Sequence, residues 1–382
     1  MSIWSLVSHF EDRETAPDGA VFKHCEKVGI HMNLHGRKYS KEQINRSGSY
    51  LAQKDINLVD EIELDNHWEV FNYWRSLHAY VMNVIYVNLK WRVSKMDITS
   101  VIIAQRLKRA PSILSKLNRF PKMQLSRMQD IAGVRIIVKD IPDIYKVRDN
   151  IYKQFPHDIY HEKNYINEPK SDGYRSLHIT FKVDNLTKTE FNGLNVELQI
   201  RTKLQHQWAT AVEIIGLYKK ESYKSGLGDD KTREFLCLCS NLFAISENTP
   251  IDEKYHNKNK NDLCKDLKKL NEELKVLDYL SGLTVFADKQ KQIIKNKKIK
   301  FCLILLKLDE RRLNVSPFDN IEEAKKSYAI LEKEIAKSKK NWDVVLISID
   351  DIKALKKAYP NYYLDSKEFV QSVAGFIKRV AS

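Results

Sequence analysis

Side chains suited to handling phosphate crowd the middle of the sequence, and in two segments they recur at a spacing of two. In Ser176–Val183 the polar Ser176, His178, Thr180 and Lys182 interleave with Leu177, Ile179, Phe181 and Val183. In Asn195–Arg201 the polar Asn195, Glu197, Gln199 and Arg201 interleave with Val196, Leu198 and Ile200. This period predicts strands with one polar and one apolar face. A face combining His, Glu, Gln and Arg is unlike a merely solvated one, which favours Lys, Thr and Ser, so it marks a candidate site. Upstream, eleven basic residues lie between Lys90 and Arg135, opposed only by Asp97 and Asp130. A concentrated positive field of this kind attracts polyphosphate or nucleic acid. The lysine run at 289–300 is read instead as a solvated face.

Several kinds of chemistry are excluded. The sequence contains no GxxxxGK[ST] loop, no GxGxxG fingerprint and no HExxH pair. Its cysteines (Cys25, Cys237, Cys239, Cys264 and Cys302) are odd in number and irregularly spaced, which argues against both a disulfide framework and a zinc ribbon. The grouping His24, Cys25, His31 and His35 is read as surface residues, and no zinc is expected. With 382 residues, 43% of them hydrophobic and 30% charged, the chain is expected to be globular, soluble and cytoplasmic. It has no apolar run of membrane-spanning length, and no secretory signal is expected.

The elements that must position the site are read as follows. Residues 1–60 form a poorly specified extension with a turn-like patch at Arg46–Tyr50. Apolar residues at helical spacing (Val70, Trp74, Leu77, Val81, Ile85) predict a helix over Asn66–Lys95, continued helically through Ile98–Phe120. A strand is expected at Ile131–Val138, a helix at Asp143–Gln154 and a loop at Asn164–Tyr174. Thr202–Ala244 reads as helix, Asn248–Lys260 as a linker and Asn261–Leu280 as helix. The tail is expected to be a small β-α-β-α unit: strand Lys300–Leu308, helix Ile321–Lys337, strand Asp343–Ile349 and helix Asp351–Ala358, followed by a last helix to Arg379.

Four motifs, RLKRAPSILSK (106–116), RMQDIAGVR (127–135), YINEPKSDGYRSLH (165–178) and VELQIRTKLQHQWATAVE (196–213), occur in this order. Together they closely resemble the RelA/SpoT synthetase family over roughly residues 65–220. The resemblance implies an α+β fold, a nucleotidyltransferase-like mixed sheet flanked by helices. It also implies transfer of the β,γ-diphosphate of ATP to a ribose 3′-hydroxyl with Mg²⁺ as cofactor, a metal held by one or two carboxylates plus substrate phosphates. By the same resemblance, Asp130 and Glu197 are the metal-binding and catalytic acids, and Glu197 takes the hydroxyl proton. Arg106, Lys108, Ser112, Lys116 and Arg135 bind ATP, the two arginines sandwiching adenine. Tyr174 stacks on the acceptor base, with Lys170, Arg175, His178, Gln199 and Arg201 completing that pocket.

The segments YSKEQINRSGSYL (39–51), WRSLH (74–78) and HQWATAVE (206–213) are similar to those of the fused toxin–antitoxin branch called CapRel. That likeness implies a different acceptor, the 3′-terminal adenosine of tRNA, in place of the GDP or GTP used by alarmone makers. Ile214 stands where small alarmone synthetases usually carry His, which favours the tRNA reading. The expected organisation is an N-terminal extension (1–60), a synthetase domain (61–247), a linker and helix (248–282) and a small C-terminal α/β regulatory domain (283–382). In that last domain YPNYY (359–363) resembles the branch's autoinhibitory element, implicating Tyr359 and Tyr362, with a phage protein as the expected trigger. A catalytically inactive RNA- or protein-binding module is the alternative outside enzymes.

Overall fold

The computed structural model describes residues 37–53, 61–184, 186, 188–219, 228–281, 298–307, 312–337, 342–348 and 362–379. The grouping at His24–His35 and the loop tyrosine Tyr359 lie outside the described residues.

The structure opens with helix α1 (Lys41–Ala52), where a turn-like patch was expected. Its start is a capping box: Ser40 accepts from the Gln43 backbone N–H, and the Gln43 side chain accepts from the Ser40 N–H. Ile44, Ser47, Gly48 and Leu51 are buried. Gly48 has no alternative, because an added Cβ would sit 2.7 Å from the Leu125 Cβ. This close approach, together with Asn45 Oδ1 accepting from the Ser126 N–H at 2.9 Å, braces the segment that leads to Asp130.

Helix α2 (Glu61–Ser94) follows, burying Phe71, Trp74, Leu77, Val81, Ile85 and Leu89 on one stripe. Next comes a correction to the helix expected through Ile98–Phe120. Residues Ile102–Leu107 form strand β1, and only Ala110–Arg119 is helical (α3, with Pro111 in its first turn, a position that needs no N–H donor). The β-branched Val101-Ile102-Ile103 run favours a strand, and pairing with β2 (Ala132–Val138) supplies its backbone partners.

After α4 (Ile141–Gln154), strands β3 (Asp158–Asn164), β4 (Leu177–Val183) and β5 (Leu194–Thr202) complete a sheet of order β1-β2-β5-β4-β3. All neighbours are antiparallel except β2 and β5. The apolar face, with Val134, Ile136, Ile179, Phe181, Val196, Leu198 and Ile200, packs with the α2 stripe into one core.

Helices α5 (Lys203–Lys219), α6 (Asp230–Ser246) and α7 (Lys260–Leu274) build a second core around Trp208, Phe235, Leu242, Phe243, Leu263 and Leu267. The segment read as a linker takes part in it, since Tyr255 is buried there. Strands β6 (Phe301–Lys307) and β7 (Arg312–Phe318), helix α8 (Ile321–Lys337) and strand β8 (Trp342–Ser348) then give a small antiparallel sheet of order β7-β6-β8. Strand β7 was not anticipated. Its Pro317 argues against a strand, yet it is tolerated because β7 lies at an edge. Helix α9 (Tyr362–Lys378) places Phe369, Val373 and Phe376 in the second core, beside α5 and α7. The molecule is thus α+β, with a mixed five-stranded sheet flanked by helices. No helix among the described residues is long and apolar enough to cross a membrane.

Candidate active site

Strand register assembles the site. On one rung Arg106 pairs with Gly133, Gly133 with Glu197, Glu197 with Thr180, and Thr180 with His161. On the next, Ala104, Arg135, Gln199, His178 and Lys163 follow in the same strand order. Residues paired across a rung share a face, so the polar sets of β4 and β5 stand together with Arg106 of β1 and Arg135 of β2. Arg106 and Arg135 are diagonal neighbours on this face. Glycine at 133 leaves the face open between Arg106 and Glu197.

Asp130 precedes β2 and is clamped by two cations. Lys108 Nζ lies 2.6 Å from Oδ2 and Lys116 Nζ 3.0 Å from Oδ1. Burial alone would raise the Asp130 pKa, but the two lysine charges outweigh it and hold the carboxyl below its usual range. Lys108 is itself fixed through its backbone: its N–H donates to the Ile131 carbonyl at 2.8 Å. Its carbonyl accepts from Arg75 Nε and Nη2 at 3.3 and 3.2 Å, which gives the WRSLH segment a physical task.

Glu197 belongs to a closed ring of five side chains. His178 Nδ1 lies 3.0 Å from Glu197 Oε1, and Gln199 Nε2 donates to Oε2 at 2.7 Å. Tyr174 Oη meets His178 Nε2 at 2.6 Å, and Arg201 Nη2 donates both to Tyr174 Oη (2.6 Å) and to Gln199 Oε1 (2.9 Å). Burial opposes ionisation of Glu197, but the His178 charge and the hydrogen bonds from His178 and Gln199 carry its pKa down to about 2. Burial likewise opposes ionisation of the Tyr174 phenol, and Arg201 and His178 overcome it, bringing the phenol well below its ordinary value. Burial acts against the His178 charge, and Tyr174 and Glu197 reverse that effect and raise its pKa. Arg201 is buried, and its Nε and Nη1 have no hydrogen-bond partner among the described residues.

These groups line a cavity of about 510 Å³, a size suited to a nucleotide-scale ligand. Asp130 and Lys116 stand on one side, Glu197, Gln199, His178, Tyr174 and Arg201 on another, and Lys170 with Tyr165 at the loop. Lys170 Nζ lies 4.5 Å from the Tyr165 ring centroid and 5.1 Å from that of Tyr174. The loop is pinned where Gly173 adopts φ +87°; a Cβ there would sit 3.1 Å from both Ser240 and Trp208.

Not every expected residue converges. Arg175 is a correction: it faces away from the cavity and donates to Ser240 Oγ, Asn241 Oδ1 and the carbonyls of Pro250 and Ile166. Successive residues of an extended chain point to opposite sides, so with Tyr174 facing the site Arg175 anchors the loop to α6. Burial lowers its pKa to about 10, which leaves it charged at neutral pH. Ser112 sits in the first turn of α3 and does not line the cavity. Arg106 and Arg135 share the site face without lining the cavity. Tyr362 opens α9.

Lys90 and Arg92 lie at the end of α2, the helix that covers the apolar face, and Lys95 in the turn just after it; Arg92 is tied there to the Gln154 carbonyl and the Phe155 ring. The run Lys90–Arg135 is therefore divided between the two sides of the sheet. Conversely, His161 and Lys163 of β3, Arg127, Trp208 of α5 and Arg233 of α6 line the cavity and were not anticipated as site residues. The spacing of His161 and Lys163 in DIYHEKN was the available signal for the first two.

The donor set fits a hard divalent cation completed by substrate. Asp130 and Glu197 line one cavity, as does Asp172, which accepts from the Tyr174 N–H, and no cluster of three or more His, Cys, Asp or Glu side chains placed to hold a metal occurs among the described residues. Magnesium bound to nucleotide typically takes one or two protein carboxylates and draws its other ligands from phosphates and water.

The mixed sheet and its helices define an α+β protein, and residues 105–224 match the region found in RelA/SpoT proteins. The chain is 34% identical over 110 residues to the GTP pyrophosphokinase YjbM of Bacillus subtilis, covering 28% of this chain and 52% of that protein. It is 39% identical over 112 residues to the GTP pyrophosphokinase YwaC of the same organism, with the same coverage of 28% and 52%. The chain thus spans about half the length of these curated relatives. Among solved structures, small alarmone synthetase 1 from Bacillus subtilis is similar at 27% identity with a TM-score of 0.40, over 47% of this chain and 92% of that one.

Proposed function

We propose that this protein is a pyrophosphokinase that moves the β,γ-diphosphate of ATP onto the 3′-hydroxyl of a purine nucleotide. The carrying observation is the convergence of two ionised carboxylates, Asp130 and Glu197, with the cations Lys116, Lys170 and Arg201 around one cavity, and with Lys108 behind it bonded to Asp130. In this reading the ribose 3′-oxygen attacks the β-phosphorus, the bond from that phosphorus to the α,β-bridging oxygen breaks, and AMP leaves with the electron pair. The hydroxyl proton goes to Glu197. Lys108 and Lys116 exchange Asp130 for the transferring phosphates, where fixed cations offset developing charge. Asp130 and Glu197 would hold Mg²⁺, whose role when bound is to neutralise phosphate oxygens.

Adenine lies between Arg106 and Arg135, with Ser112 near the phosphates. The acceptor base stacks on Tyr174, and its phosphates meet Lys170 and the two unpartnered N–H groups of Arg201. For the acceptor we favour the 3′-terminal adenosine of tRNA, whose modification would block translation. Ile214 in place of His supports this, as do the cations Lys163 and Arg233 at the cavity. Lys90, Arg92 and Lys95, on the side of the sheet that α2 covers, lie off the acceptor path in this reading. A guanine nucleotide is the second reading, favoured by the relatives named as GTP pyrophosphokinases.

The C-terminal residues are proposed to restrain the enzyme as an antitoxin-like unit in anti-phage defence, with Tyr359 or Tyr362 in the adenine slot and a phage protein as trigger. Supporting this, α9 packs against α5, whose Trp208, Ala209 and Val212 line the cavity, and Gln207 donates to Glu368 at 2.6 Å. Incubation with γ-labelled ATP and GDP, GTP or bulk tRNA tests the acceptor. Label on the tRNA 3′ end supports the first reading, label on guanine nucleotide alone replaces it with the second, and label on neither rejects the activity.

A further inference from the structure

We propose that the Tyr174 hydroxyl and the His178 imidazole are positioning groups that hold the Glu197 carboxylate in one orientation, a task separate from any contact the Tyr174 ring makes with an acceptor base. The inference rests on the reading of Glu197 as the residue that takes the hydroxyl proton.

The argument is one of donors and acceptors. A guanidinium can only donate, so Arg201 Nη2 compels both Tyr174 Oη and Gln199 Oε1 to accept. With its oxygen committed, Gln199 must present its amide nitrogen to Glu197 Oε2. An ionised carboxylate can only accept, so the hydrogen on His178 is required at Nδ1, facing Glu197 Oε1. His178 Nε2 is left to pair with Tyr174 Oη. Every link except that between Tyr174 and His178 is thus fixed in direction by the two groups that have no choice, Arg201 and Glu197. Each carboxylate oxygen is held from its own side, by a different strand, and the ring closes through the loop that Gly173 and Ser240 fasten to α6. A carboxylate held only by Gln199, on its own strand, would keep freedom about its terminal torsion, which is broad for Glu. Orienting partners of this kind typically contribute 10–100-fold to the activity of the group they hold.

The two tasks of Tyr174 come apart on substitution. Tyr174→Phe keeps the ring and removes the hydroxyl, so kcat should fall about tenfold while the acceptor KM stays within about twofold. Tyr174→Leu loses the ring as well and should raise the acceptor KM. His178→Asn, whose amide can stand where Nδ1 stands, should recover part of the kcat that His178→Ala loses. Wild-type kcat in Tyr174→Phe, or a change confined to KM, overturns the proposal. If the wild-type chain transfers no diphosphate, the functional reading fails, and the ring is judged by nitrogen NMR of the His178 side chain. A proton on Nδ1, with a resonance that shifts in Tyr174→Phe, upholds the ring. A tautomer protonated on Nε2 alone, or a resonance indifferent to Tyr174, refutes it.

Discussion

The two faces of the five-stranded sheet are built from the same strands and solve opposite problems. The face toward α2 is filled by apolar side chains such as Phe181, Val196 and Leu198, each with no exposed surface, and Phe155 stacks on Phe181 with ring centroids 4.3 Å apart. The other face carries Glu197, His178, Gln199 and Arg201, which bond to one another. The comparison teaches that a polar face can be as ordered as an apolar one when its donors and acceptors are matched, while its cavity stays open to ligand. Charge on the helix that covers the first face, as at Lys90 and Arg92, does not line the cavity despite its nearness in sequence.

Substitutions on the two sides should separate stability from transfer. Phe181→Ala is expected to cost about 3–5 kcal/mol in urea unfolding, the range for a buried aromatic truncated in a packed core. Lys163→Ala, exposed on the site side of edge strand β3, should change stability by less than about 0.5 kcal/mol. Equal losses would break the contrast.

Acid should strike the apolar side through His78. Burial holds the His78 pKa at about 4 against an ordinary 6.5, with Nδ1 donating to the Trp74 carbonyl. Between these two values the unfolded chain binds the proton that the folded chain refuses, so stability falls as pH drops from 6.5 to 4, by about 3 kcal/mol for this group. Urea titrations at pH 7, 5 and 4 should show a shallower decline for His78→Leu than for wild type.

Cations on the two sides should differ as sharply. Lys108→Ala should reduce transfer about 10²-fold, equivalent to about 2.7 kcal/mol of transition-state stabilisation. Reversing Lys90, Arg92 and Lys95 to Glu should change it by less than about threefold, because none of the three lines the cavity. A large loss in the triple variant would return those residues to the acceptor path.

Much of this arrangement was legible in the sequence, wherever a local rule sufficed. The alternation in β4 and β5 revealed the polar face, because a period of two needs no knowledge of partners. The capping box at Ser40 and Gln43 is equally local, but the turn-forming residues around Gly48 speak against a helix there. Strand β1 was masked by the helical spacing that continues into α3, and only its pairing with β2 reveals it. The direction of Arg175 and the ring through Tyr174, His178 and Gln199 depend on cross-strand neighbours far apart in the chain. No single segment encodes them.

The central claim is that Asp130 and Glu197 perform diphosphate transfer from one cavity. Its most direct test measures transfer from γ-labelled ATP to the accepted nucleotide by wild type, Asp130→Asn and Glu197→Gln, with unfolding midpoints taken alongside. The account predicts that each variant stays folded and loses more than about 10²-fold in rate, the usual scale for a positioned acid–base group. Wild-type rates in both folded variants would contradict it.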